Sequence, residues 1–167
     1  MSTRIISIDP GFERVGIAVI EKTFEKKDLL VYSNCFKTTT KIPLNERIRK
    51  IGDEVEKIIK KYKPEALAIE KLYFTTNQKT VMGVAEARGV IIYVATKNGL
   101  SVYEYTPPQI KVAVTGYGKA SKQMVMSMVP KLIGVSDYIN SDDELDAIAI
   151  GLTCIACEKL DSKKVLY

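Results

Sequence analysis

Three strand-like runs fill the first forty residues, and the links between them are too short for anything but antiparallel neighbours. The runs cover Arg4–Asp9, Val15–Lys22 and Asp28–Thr38. Parallel pairing would need a crossover of about a dozen residues or more, so the opening of the chain is expected to be a meander. Pro10 and Gly11 supply the turn chemistry of the first link.

A helix is predicted next. Leu44, Ile48, Ile51, Val55, Ile58, Ile59 and Tyr62 recur at helical spacing with lysines and glutamates opposite, and Pro64 helps to end the pattern. The short apolar run Ala66–Glu70 therefore follows a crossover and can lie parallel to the first strand. That pairing brings Asp9 and Glu70 to one C-terminal sheet edge, where ligand sites of open α/β sheets gather.

A second helix is expected from about Asn77 to Lys97, followed by the strand Leu100–Tyr105. The helix carries Val81, Met82, Val84, Val90, Ile91, Ile92 and Val94 on more than one face, and Gly83 and Gly89 would admit a close neighbour. A helix apolar all round is covered all round, either by its own domain or by a second subunit. The second possibility predicts a homodimer. Pro107–Pro108 start another helix, the loop TGYGKAS follows, and a helix near Ser121–Leu132 should be kinked or ended by Pro130. The last helix runs from about Ser141 to Lys159. The expected fold is a single α/β domain over residues 1–167. It is a mixed five-stranded sheet, three strands antiparallel and then two parallel, flanked by helices.

Four acids stand out against this frame. Asp9 and Glu70 close apolar strands, and Asp143 and Asp146 lie three residues apart near the start of the apolar helix SDDELDAIAIGL. Three-residue spacing turns both aspartates to one side of a helix. Acids in such places cost free energy unless their charge is offset. A pair of divalent ions would offset it, and two ions held by carboxylates are a common device for cutting phosphodiesters. Oxygen ligands of this kind suit Mg²⁺ or Mn²⁺ better than zinc. Each acid also has a plainer reading. Asp9 can shape the Pro-Gly turn, Glu70 can pair with Lys71, and Ser141 with Glu144 can form a capping box that favours acids nearby.

Composition narrows the chemistry. The chain has no histidine, which excludes Ser-His-Asp and Cys-His catalysis, histidine zinc sites and a histidine base. A net charge of +5 favours an anionic partner such as nucleic acid. Three cysteines fit a reducing compartment, and the Cys154–Cys157 pair lies in an apolar helical pattern that points to packing rather than metal or redox work. With 46% apolar residues, no long uninterrupted apolar run and no export-like opening, the expectation is a cytoplasmic protein without a membrane segment.

The segments IDPGFERVGIAVI, AIEKLYFTTNQKTVMGVAEARGVI, VYEYTPPQIKVAVTGYGKASKQMV and DDELDAIAIG, in this order and spacing, resemble the RuvC family of Holliday junction resolvases. The resemblance spans essentially the whole chain. It implies a ribonuclease-H-like fold and a homodimer that nicks a four-way DNA junction in paired, symmetric fashion during recombination and repair. It also implies a partnership with the RuvA–RuvB branch-migration machinery. By that resemblance Asp9, Glu70, Asp143 and Asp146 are the catalytic acids and the ligands of two Mg²⁺ ions per site, which Mn²⁺ could replace. Asp9 would bridge the ions. The family often has small residues between the closing acids, where this chain has Glu144 and Leu145, and Asp142 and Glu144 are possible decoys.

Tyr73 and Phe74 follow Glu70 in a polar segment, and one of them is expected to stack on or wedge between bases at the junction. The resemblance favours Tyr73. Lys111, Lys119 and Lys122 flank the glycine-containing loop and match basic positions of the family, so they are expected to hold DNA phosphates. Arg88, in the apolar helix, is expected to be structural. The alternatives are a YqgF-like nuclease acting on structured RNA, a non-catalytic junction-binding module and, from the first motif alone, an actin-like ATPase lobe.

Overall fold

The computed structural model describes residues 3–23, 27–72, 78–135, 139 and 141–157. Its meander is built from β1 (Thr3–Asp9), β2 (Arg14–Lys22) and β3 (Leu29–Lys37), paired antiparallel from Thr3↔Lys22 to Asp9↔Gly16 and onward across β2 and β3. Helix α1 (Leu44–Tyr62) crosses over to β4 (Ala66–Glu70), which pairs parallel with β1 from Ile5↔Ala66 to Ile8↔Ile69. Helix α2 (Gln78–Lys97) leads in the same way to β5 (Ser101–Tyr105), parallel to β4.

After β5 come α3 (Pro107–Thr115), α4 (Lys122–Leu132), a two-residue strand β6 (Gly134–Val135) and α5 (Asp142–Cys157). The sheet order is β5-β4-β1-β2-β3-β6. The five expected strands form with the expected directions, and β6 adds a short parallel edge beside β3. Two residues carry no readable periodicity, which is why this edge strand escapes a sequence pattern.

Side chains alternate across the sheet and divide the core in two. Ile6, Ile8, Ile17, Val19, Leu67 and Ile69 face α1 and α2. Ile5, Ala18, Ile20 and Ala68 face α3, α4 and α5. Fully burying such a side chain contributes about 1.5–3 kcal/mol, so both helical layers are held mainly by this packing. Small residues let α5 approach closely. A Cβ at Gly151 would stand 2.6 Å from both Ile20 Cδ1 and Ser7 Oγ.

Helix α1 ends where Lys63 adopts a left-handed conformation at φ 50°, just before Pro64. Pro130 sits in the last turn of α4, which stops at Leu132. Its ring removes one helical donor, yet two further helical residues follow before Ile133 caps the helix. Of the two glycines of α2, Gly83 packs against the Phe12 ring, while Gly89 has nothing within 4 Å of where a Cβ would be. Met82 and Tyr93, on the same face as Gly89, are exposed. Helix α2 is thus covered by its own domain on one side only. Cys154 is buried in the core and Cys157 is exposed, and neither forms a disulfide. Among the described residues no helix is long and apolar enough to cross a membrane.

Candidate active site

Alternation along β1 puts Ser7 and Asp9 on the face of Ile5, and alternation along β4 puts Glu70 on the face of Ala68. Both acids therefore point to the α5 side of the sheet, one register step beyond the Ile8↔Ile69 pair. Helix α5 begins over this edge. A Cβ on Gly16, the residue paired with Asp9, would lie 2.0 Å from the carbonyl oxygen of Asp143. Only a residue without a side chain lets the start of α5 settle there.

Asp9, Glu70 and Asp146 line one cavity of about 200 Å³, together with Lys111 and Lys122. Asp143, one helical turn before Asp146, is turned toward β2 and β3. It accepts from Arg14 Nε at 2.9 Å, from a second Arg14 nitrogen and from Cys35 Sγ at 3.4 Å, all at Oδ2. Lys122 Nζ donates to Asp146 Oδ2 at 2.9 Å. Lys119 is exposed on the loop between α3 and α4 and is not part of the cavity wall. Tyr73 and Phe74 lie outside the described residues.

The electrostatics follow from this crowding. Burial, then repulsion from Glu70, Asp146 and Asp143, pushes the Asp9 carboxyl up to about 7, with Lys122 opposing. Burial and Asp146 likewise raise Glu70, again against Lys122. For Asp143 burial acts upward, but the hydrogen bonds from Arg14 and Cys35 and the Arg14 charge outweigh it, and the group ends below the ordinary carboxylate range. The hydrogen bond to Asp146 raises the Lys122 ammonium.

The decoys resolve into structure. Ser141 Oγ donates to Glu144 Oε1 at 3.1 Å and accepts from the Glu144 backbone N–H at 3.3 Å, the two halves of a helix-start clasp. Ser33 Oγ donates to Glu144 Oε2 at 2.6 Å, so this buried glutamate ties α5 to β3 and is not part of the cavity. Asp142 is exposed. Arg88 is structural as expected. It donates to the Glu70 carbonyl at 3.2 Å and pairs with Glu104 at 2.7 Å, fixing the last peptide of β4.

Two arginines near the site carry no role in the sequence reading. Arg47 of α1 is buried, donates to the Phe12 carbonyl at 2.9 Å and to Thr38 at 3.0 Å, and lies 4.7 Å over the Phe12 ring. It clamps the turn that follows Asp9. Arg14 meets Asp143 as described. The signal for Arg14 was present: a cation opening the second strand of the hairpin must lie at the edge where the first strand ends.

The donor set is all carboxylate, which fits hard divalent ions. Asp9 and Glu70, raised by burial and neighbouring negative charge, mark a place short of positive charge. Among the described residues no three His, Cys, Asp or Glu side chains already close into a metal cage. The acids converge on one edge, and the Asp143 and Asp146 carboxylates are engaged by Arg14 and Lys122.

The sheet, its two helical layers and the acid-lined edge define a ribonuclease-H-like α/β domain. The solved Thermus thermophilus RuvC in complex with a Holliday junction substrate superposes with a TM-score of 0.86 at 30% identity, over 92% of this chain and 93% of that one. The yeast mitochondrial Holliday junction resolvase Ydc2, at 12% identity and a TM-score of 0.66, shares the fold. The family model for crossover junction endodeoxyribonuclease RuvC matches residues 5–154. The chain belongs to that family. The crossover junction endodeoxyribonuclease RuvC of Fusobacterium nucleatum is 43% identical over 91% of this chain and 80% of its own length. That of Caldicellulosiruptor saccharolyticus is 38% identical over 98% and 96%.

Proposed function

We propose that this chain is a metal-dependent endonuclease that resolves four-way DNA junctions by paired, symmetric nicks. The observation that carries the reading is the meeting of Asp9, Glu70 and Asp146 with Lys111 and Lys122 in one cavity at the sheet edge. An acid cluster rimmed by lysines suits a phosphodiester, whose charge the lysines attract and whose approach the bare acids oppose.

Asp9, Glu70, Asp143 and Asp146 would hold two Mg²⁺ or Mn²⁺ ions, which when bound supply activation of the attacking water and stabilisation of the departing 3′ oxygen. The chain's own residues set the geometry for this. Arg88 and Arg47 fix the peptides that carry Glu70 and follow Asp9, while Gly16 sets the height of α5. Lys111, on the cavity wall, can orient the scissile phosphate, and Lys119 can reach the flanking backbone.

The reading includes a homodimer, supported by the exposed Met82, Gly89 and Tyr93 face of α2, and symmetric nicking requires two such sites. Family membership supports a partnership with RuvA–RuvB and work on DNA in the cytoplasm. The test is incubation of a labelled four-way junction and its linear arms with Mg²⁺. Symmetric cuts confined to the junction support the reading, while equal cutting of linear duplex, or cutting of structured RNA alone, overturns it.

A further inference from the structure

Each member of the closing acid pair is matched to a cation from a different element. Arg14, at the start of β2, puts two nitrogens on Asp143 Oδ2, and Cys35 of β3 adds its thiol to the same oxygen. Lys122 of α4 takes Asp146 Oδ2. Among the described residues no cation forms an ion pair with Asp9 or Glu70. The lone pairs of Asp143 Oδ2 are thus directed at protein donors.

The two arginines beside this site differ in freedom. The Arg47 side chain is 7% exposed and bonded to a backbone carbonyl, so it stays. The Arg14 side chain is 53% exposed and has Asp143 and Cys35 for partners, so its guanidinium can swing into solvent with little desolvation to undo.

Resting on the metal-dependent reading above, we infer that Arg14 is a built-in competitor of the divalent ion: it occupies Asp143 until metal displaces it and so sets metal affinity. The displaced guanidinium is then free in solvent at the sheet edge, and a DNA phosphate can take it bidentately. A guanidinium keeps its charge at every working pH, so this competition does not fade as pH rises, unlike competition from a proton on Asp9.

The experiment is a Mn²⁺ titration of the full chain without DNA, followed by loss of the free-ion electron paramagnetic resonance signal. Wild type is compared with Arg14→Gln and with Lys37→Gln, which removes an exposed charge from the β3 residue paired with Arg14. Arg14→Gln should tighten Mn²⁺ binding by roughly three- to fivefold, the upper worth of an exposed ion pair, by a factor that holds from about pH 6 to 8. Lys37→Gln should leave it within about twofold of wild type. Binding by Arg14→Gln that is unchanged or weaker would make Arg14 a support for Asp143 and overturn the inference alone. Equal tightening by Lys37→Gln would reduce it to bulk charge and overturn it too. Wild-type protein that takes up no Mn²⁺ would bring down the metal reading together with it.

Discussion

Gly16 and Asp143 are in backbone contact: a Cβ on the glycine would stand 2.0 Å from the aspartate's carbonyl oxygen and 2.7 Å from its carbonyl carbon. A central position of the meander thereby sets where the last helix begins, and with it where the closing acids stand. Gly16→Ala should push the start of α5 off the sheet, at a cost of about 1–3 kcal/mol for overpacking. Junction cutting should fall by far more than junction binding. Thermal unfolding with paired rate and binding assays checks this, and unchanged cutting would show that α5 reaches the site by another route.

The Asp9 carboxyl, raised to about 7, gives metal-free protein a definite pH dependence. The folded chain holds a proton that the unfolded chain releases near pH 4, so this group's stability contribution is whole below that pH and is lost as pH climbs through about 7. Asp9→Asn removes the loss. In chelator, its advantage over wild type should be about 2 kcal/mol larger near pH 8 than near pH 5. A gap that stays constant between those pH values would contradict the crowding of charge around Asp9.

Arg88→Ala should strip a donor from the Glu70 carbonyl and leave Glu104 without its partner. The expected cost is about 1–3 kcal/mol in urea unfolding at unchanged m-value, with cutting reduced as well. Arg88→Lys keeps the charge but not the fork, and should recover only part of either.

Lys111 lines the cavity but makes none of the ion pairs that hold Lys122. Lys111→Ala should lower the log–log salt slope of junction binding by about one unit, the signature of one lost phosphate contact. An unchanged slope would remove Lys111 from the DNA interface.

What the sequence disclosed, and what it withheld, follows from the range of the forces involved. The meander, both crossovers and the meeting of Asp9 with Glu70 follow from short links and local periodicity, and all appear in the fold. Pro130, expected to kink or end its helix, is followed by two further helical residues. The decoy status of Glu144 was half legible: the capping partner Ser141 is three residues away, but the bond to Ser33 spans the chain. The Arg47 contacts, the choice of Asp143 as the partner of Arg14 and the Gly16–Asp143 contact are long-range matters of side-chain reach and helix height. No window of neighbouring residues encodes them.

The central claim is that these acids form one metal-dependent cutting centre. It is tested most directly by Asp9→Asn protein on a four-way junction, with binding followed in chelator and cleavage in Mg²⁺. The account predicts junction binding at least as tight as wild type, because one phosphate-repelling charge is gone, and cleavage slower by roughly a thousandfold or more. Cleavage near the wild-type rate by Asp9→Asn would contradict it.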